Sequence, residues 1–228
     1  MDELALNAII EKLYALYDDS QSIDVNVNAA KVAPIAHGWY TRVRRTGRAL
    51  QVLTAAGFEH EGAPLRRSMI EHALGLHWLA EAKDGAVDAL RGGNQNTWKK
   101  IADSMTDGWV VTPEDLSSVV NAPVPPSSES TYLHFAHLCR RYKEPDLFVG
   151  WLLETGHSHT SYASAIAYVD FDVMAAQPHL LSEARHDLKT TSGVVANLLL
   201  VASIGFNNIL NEQPWTQRLD ELHERMSG

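Results

Sequence analysis

Three side chains that could do chemistry lie within six residues of one another, at Arg67, Glu71 and His72. The apolar residues around them recur at three- and four-residue steps, which predicts a helix over residues 65–82 with two apolar faces. Ionisable groups on such a helix need partners, because desolvating an unpaired charge costs several kcal/mol. Arg67 and Glu71 can pair with each other, since they are four residues apart.

Two interpretations of these residues stay open. In the first, Arg67, Glu71 and a histidine line a polar pocket, where titratable groups with shifted pKa values do chemistry. In the second, Arg67 and Glu71 form a structural bridge, and His72 is a hydrogen-bonded histidine of the core. Exposure distinguishes the two, because a catalytic arginine must reach a cleft open to solvent, whereas a bracing arginine is sealed off with its donors satisfied.

Positive charge is concentrated in residues 31–67, which carry seven Lys or Arg and two Asp or Glu in a chain of net charge −9. On a helix, Arg44, Arg45 and Arg48 share one flank. Arginine forks suit phosphate groups, so the flank is a predicted phosphate contact, and pairing with acidic neighbours is the alternative. General binding of DNA is not expected, because the negative net charge opposes long-range attraction.

Residues 53–72 resemble the domain of unknown function 5677, a bacterial all-helical family. The family shows an Arg-Ser-x-x-Glu helix after a glycine-ended helix, which Arg67 to Glu71 matches here. A Ser/Thr-x-x-x-His element follows downstream in the family, and Thr155 to His159 matches it. The resemblance implies an all-helical fold and marks Arg67, Glu71 and His159 as site residues, but it supplies no activity.

Arg67 and His72 also show the spacing of the Arg-x4–6-His motif in the HEPN group of helical ribonucleases, which the run from Arg67 to His72 resembles. In that group the motif lies in the composite site of a dimer. The resemblance implies that Arg67 holds the scissile phosphate and that His72 assists proton transfer during attack by the RNA 2′-hydroxyl. It makes RNA a candidate ligand.

A further set of ionisable residues, His157, His159, Asp170 and Asp172, offers two imidazoles and two carboxylates. They could bind a metal only if the chain folds back, because the two side chains of His-x-His on a helix point about 160° apart. The ordinary spacing of a closed metal site is absent. We therefore predict neither a metal nor another cofactor, although metal binding at these four residues stays open.

Helical periodicity runs through the sequence, and no segment alternates as a strand with hairpin turns. This pattern predicts an all-α, single-domain bundle of about six to eight helices, with residues 65–82 as the central helix. The expected parts are an N-terminal helix and linker (1–28), core helices (29–105), an irregular Pro- and Ser-rich connection (106–129), further core helices (130–211) and a polar C-terminal helix (212–228).

Composition excludes several classes of protein. The chain has one cysteine, Cys139, and 45% hydrophobic residues. It lacks the ~20 continuous apolar residues of a membrane span, so we expect a cytoplasmic location without membrane contact.

The interpretation that we favour is a non-catalytic interaction or regulatory module that forms a homo-oligomer and binds RNA or a small molecule. The alternative is a metal-independent endoribonuclease that uses Arg67, Glu71, His72 and His159.

Overall fold

The computed structural model describes residues 1–20, 22–105, 113–170, 178–184 and 191–227. These residues form ten α-helices and a small two-stranded ribbon, which confirms the all-α single-domain class. The count exceeds the expected six to eight because three of the helices have eight residues or fewer. The helices are α1 (Glu3–Asp18), α2 (Ala33–Ala55), α3 (Ala63–Ala82), α4 (Asp84–Ser104), α5 (Pro113–Val120), α6 (Phe135–Tyr142), α7 (Pro145–Ser158), α8 (Tyr162–Ile166), α9 (Thr191–Asn207) and α10 (Thr216–Ser227).

Helix α3 is the centre of the bundle, as the sequence predicts. It has a proline in its first turn and ends at Ala82, before Lys83, whose φ of 48° is left-handed. It packs against α2, α4, α6, α7 and α9. Apolar side chains on two of its faces are buried against these neighbours, which leaves Arg67, Glu71 and His72 at the edges of the contacts.

The most apolar helix, α9, packs against α1, α2, α3 and α10 and completes the core. Its Phe206 stacks on Tyr40 of α2 with the ring centroids 4.5 Å apart. The hydroxyl of the same tyrosine is 3.0 Å from Ser203 Oγ, so the buried phenol has a hydrogen-bond partner. Gly205 brings α9 close to α3, because a Cβ at this position would lie 2.9 Å from Leu76 Cβ.

Several helix boundaries differ from those that the sequence predicts. The helix expected from residue 29 begins at Ala33, because a 3₁₀ helix over Val27–Ala29 precedes it. The helix expected from residue 130 begins at Phe135, because a 3₁₀ helix over Ser128–Leu133 takes its first turns. Helix α4 continues through Gly92 and Gly93, two residues of low helix propensity.

The segment before α9 lies in the range 130–211, where the sequence predicts core helices, but it contains a short β-ribbon. Strands β1 (Val169–Asp170) and β2 (His179–Leu180) pair antiparallel, with Val169 opposite Leu180. Residues 182–184 are not helical, and residues 185–190 lie outside the described residues. No described helix is long and apolar enough to cross a membrane.

Candidate functional site: an aromatic cavity beside an ion pair

A cavity of about 500 Å³ lies against α3 and is open to solvent. Helices α2, α4, α6 and α7 and the 3₁₀ helix Ser128–Leu133 complete its walls. Three of the residues singled out in the sequence, Arg67, Glu71 and His72, line it. The rest of the lining is mainly apolar and includes five aromatic side chains, Trp39, Trp78, Tyr132, Phe135 and Trp151.

Arg67 and Glu71 form the expected ion pair along α3, with Arg67 Nε 3.3 Å from Glu71 Oε1. The indole N–H of Trp151 on α7 donates to the same carboxylate oxygen at 2.7 Å. The guanidinium also lies over the indole ring, 5.1 Å from its centroid, which is a cation–π distance. The side chain of Arg67 is 26% exposed and that of Glu71 37% exposed, so the pair reaches solvent and is not sealed in the core.

His159, which follows α7 directly, contacts the other side of the guanidinium. Arg67 Nη1 lies 2.7 Å from His159 Nε2. An arginine can only donate, so Nε2 accepts this hydrogen bond and a neutral His159 carries its proton on Nδ1. The structure thus brings Arg67, Glu71 and His159 together, although residues 67 and 159 are far apart in the sequence.

His72 lies on another part of the cavity wall, and its contacts differ. Its Nδ1 donates to the Ser68 carbonyl oxygen at 2.6 Å, which leaves Nε2 without a proton in the neutral ring. The ring meets Trp39 edge-on, with the centroids 5.4 Å apart. Burial lowers the pKa of His72, and the charge of Arg42 acts in the same direction, against the hydrogen bond to Ser68. The imidazole is therefore neutral at pH 7.

Two features hold the aromatic wall in place. A Cβ at residue 75 would lie 2.7 Å from Trp39 Cζ3, so the absence of a side chain at Gly75 lets the indole of α2 lie directly on α3. On the far side, the N–H of Trp78 donates to Glu129 Oε2 at 2.7 Å. Arg141 donates to the same oxygen and stacks over Tyr132, with the guanidinium carbon 4.5 Å from the ring centroid.

The basic stretch on α2 divides between two sides of the helix. Arg44 donates to Asp18 at 2.6 Å, and Arg48 lies over the Tyr14 ring at 4.0 Å, so both face α1. Arg45 is exposed on another side, in a groove that also contains Arg42. The three arginines expected to form one phosphate-binding flank are thus not brought together, because two of them face α1.

The two histidines considered as metal ligands contact different partners. His157 packs edge-on against His60, with the ring centroids 4.9 Å apart, while His159 contacts Arg67. Asp172 lies outside the described residues. Within the described ranges, no group of three His, Cys, Asp or Glu residues is arranged to hold a metal ion.

Two parts of the site carry no local signal in the sequence. The aromatic wall is assembled from residues between 39 and 151, on four separate helices and a 3₁₀ helix. Next to it, Arg66 is 3% exposed and donates from Nε to Glu154 Oε1 at 2.7 Å. Its partner is 88 residues away, so the sequence shows an adjacent pair of arginines without indicating which of them is buried.

Comparison with known proteins supports the family resemblance over part of the chain. Residues 34–107, about a third of the sequence, match the profile of a family of unknown function (DUF5677). The match spans α2, α3 and α4 and contains Arg67, Glu71 and His72, whereas His159 lies beyond it. No curated protein and no solved structure matches the chain.

Proposed function

We propose that the chain is a non-catalytic binding module whose aromatic cavity takes a small, planar heterocyclic ligand. The observation that carries this proposal is the lining of five aromatic side chains around the Arg67–Glu71 pair in a cavity open to solvent. Its volume of about 500 Å³ suits a ligand of nucleoside size, since small-molecule pockets measure roughly 300–1,000 Å³.

The ion pair gives the cavity a mixed hydrogen-bonding edge. Within the described residues, Nη1 of Arg67 and Oε1 of Glu71 take part in hydrogen bonds, whereas Nε of Arg67 lies at ion-pair distance from Oε1 without a hydrogen bond. Arg67 Nη2 and Glu71 Oε2 are then a donor and an acceptor that can bind a ligand, and the charges of the pair cancel. A neutral heterocycle with adjacent donor and acceptor groups matches this edge, and its faces stack on tryptophan.

The lining supports binding more than catalysis. The described residues that line the cavity include no serine, threonine or cysteine that could act as a nucleophile. The carboxylate of Glu71 is held by the Arg67 guanidinium and the Trp151 indole, which fixes it as a recognition group. A preformed wall of this kind binds without the cost of ordering side chains.

Binding can be followed by quenching of tryptophan fluorescence, with adenosine, guanosine, cytidine and uridine as probes. We expect saturable quenching by at least one nucleoside, and about tenfold weaker affinity for Arg67→Gln, which is about 1.4 kcal/mol. Arg48→Gln is the matched control, because Arg48 also lies over an aromatic ring and near a carboxylate, away from the cavity. Equal losses in both variants, or no saturable binding of any of the four, would contradict the proposal.

Metal-independent RNA cleavage is the second candidate, favoured by the presence of both Arg67 and His72 in the lining of the cavity. The unprotonated Nε2 of His72 could accept a proton, and the arginine could contact a phosphate. The test is incubation of RNA with the wild type, Arg67→Gln and His72→Asn in the presence of a metal chelator, with circular dichroism as the folding control. Cleavage by the wild type but by neither variant would favour a ribonuclease over the proposed binding module.

The expected homo-oligomer and cytoplasmic location remain predictions that accompany the proposal. A molar mass from light scattering that exceeds that of one chain would support the oligomer. A mass of one chain across the concentrations tested would contradict it.

A further inference from the structure

A shallow groove on α2 lies next to the aromatic cavity and carries positive charge. Arg42, Arg45, Thr41 and Thr46 line it from α2, and His72 lines it from α3. Arg42 and Arg45 are three residues apart on the helix, so their side chains are neighbours. Two guanidiniums and two hydroxyls on one surface make a group of donors that suits the oxygens of a phosphate.

The charges of Arg42 and Arg45 are not neutralised within the described part of the chain. Both side chains are exposed, and neither has a carboxylate partner there. The neighbouring Arg44 and Arg48 on the same helix lie at 2.6 and 3.9 Å from carboxylate oxygens of α1. Because the chain as a whole is negative, a cationic pair without a carboxylate partner among the described residues is a local exception in this groove.

The groove and the cavity share two lining residues, Trp39 and His72. These two side chains meet edge-on at 5.4 Å, so they form the boundary between the two spaces. The charge of Arg42 extends to this boundary, where it acts on the imidazole of His72. A ligand held in the cavity can therefore place an anionic group over the boundary and onto the arginines.

We propose that the groove binds the phosphate of a mononucleotide whose base occupies the aromatic cavity. This inference rests on the proposed function and deepens it by naming the ligand class. The cavity has room for one nucleoside and the groove offers two forks, which fits a single nucleotide. A long RNA chain would instead meet the field of a protein with net charge −9.

The experiment is calorimetric titration of the wild type with each nucleoside and its 5′-monophosphate. The variant is Arg42→Gln/Arg45→Gln. The control is Arg48→Gln/Arg218→Gln, which removes the same charge from two exposed arginines elsewhere. We expect a monophosphate to bind at least tenfold more tightly than its nucleoside. The variant should lose this advantage and keep its affinity for the nucleoside, and the control should retain both.

The outcomes separate this inference from the proposed function. Nucleoside binding without any gain from the phosphate overturns the inference and leaves the binding module standing. An equal loss in variant and control also overturns it, because the effect would then come from total charge. No binding of any nucleoside or nucleotide overturns both proposals, and binding of an RNA oligonucleotide without binding of mononucleotides overturns the mononucleotide assignment.

Discussion

Arg66 shows at the level of one residue how a buried charge is held in this fold. Its Nε donates to Glu154 Oε1 at 2.7 Å, and its Nη1 donates to the Glu59 carbonyl oxygen at 2.6 Å. The first contact joins the start of α3 to α7, which also supplies Trp151 to the cavity wall. Removing the carboxylate would leave the guanidinium buried and unpaired, which costs more than the pair contributes when intact.

We therefore predict that Glu154→Ala lowers the free energy of unfolding by about 3–5 kcal/mol. Urea denaturation followed by circular dichroism measures this change. Glu11→Ala is the control, because Glu11 lies 3.9 Å from an exposed Arg48 and such pairs contribute about 0–1 kcal/mol. The double variant Arg66→Met/Glu154→Leu should be more stable than Glu154→Ala, since it leaves no buried charge. A similar small loss in both single variants would contradict the argument.

Residue spacing predicts those contacts of the site whose two partners are close together in the sequence. Arg67 and Glu71 are one helical turn apart, so their contact is predictable from spacing alone. Arg66 and Glu154 are 88 residues apart, and no spacing rule connects them. His159 comes from the family resemblance and not from periodicity. The aromatic wall and the split of the basic stretch depend on which helices pack together, which the sequence does not show.

At the level of the helices, the α3–α9 contact depends on a residue without a side chain. A Cβ at Gly205 would lie 2.9 Å from Leu76 Cβ and 3.0 Å from the His77 backbone nitrogen. The backbone cannot rotate away as a flexible side chain would, so the two helices would have to separate. Since α3 carries five of the residues that line the cavity, a shift of this contact would move them as well.

We predict that Gly205→Ala lowers the free energy of unfolding by about 1–3 kcal/mol, the usual cost of overpacking a core. Gly38→Ala is the matched control, because no heavy atom lies within 4 Å of a Cβ at that exposed site in α2. The control should raise stability by about 0.5–1 kcal/mol, since alanine favours a helix interior over glycine. Chemical denaturation of both variants decides, and a stabilising Gly205→Ala would show that the helices tolerate the added methyl group.

Sequence reasoning predicts which segments form helices better than it predicts where those helices begin and end. The apolar period of residues 65–82 predicts the central helix, and α3 spans Ala63–Ala82. The 3₁₀ helix Ser128–Leu133 is missed because a 3₁₀ turn shares the composition of a helix start, and only the hydrogen bonds distinguish them. Gly92 and Gly93 do not end α4, since packing outweighs a propensity cost of about 1 kcal/mol each.

For the whole molecule, charge and packing are arranged together. The acidic α1 lies beside the basic α2, and Asp18 and Glu11 pair with Arg44 and Arg48. The alternative that the arginines pair with acidic neighbours thus applies to Arg44 and Arg48, on the side of α2 that faces α1. The groove that contains Arg45 lies on another side of the helix. Sequence reasoning predicts which segments carry an excess of positive or negative charge, but not which arginines of α2 face α1. That depends on how the two helices pack on the apolar core.

Two partly buried histidines make the stability of the whole bundle depend on pH. Burial lowers the pKa of His72 and of His77, in each case against a hydrogen bond to a backbone carbonyl oxygen. His77 Nε2 donates to the Val201 carbonyl oxygen at 2.8 Å and so joins α3 to α9. Both rings are therefore neutral in the folded state at pH 7.

The direction of the pH effect follows from these lowered pKa values. An unfolded histidine titrates near pH 6.5, above the folded pKa, so between the two the unfolded state binds more protons. The stabilisation is complete above pH 6.5 and is lost as the pH falls toward the folded pKa. We predict a free energy of unfolding that is nearly constant from pH 8 to 7 and declines below 6.5, by at most about 1.4 kcal/mol per pH unit for each histidine.

His77→Gln should be less stable at pH 8 and show a shallower decline, because one titrating group is gone. His223→Gln, at an exposed site on α10, is the control and should follow the wild type. Urea denaturation at pH 8.0, 7.0, 6.0 and 5.5 measures the slopes, and equal slopes for the wild type and His77→Gln would show that this imidazole does not contribute to the pH dependence.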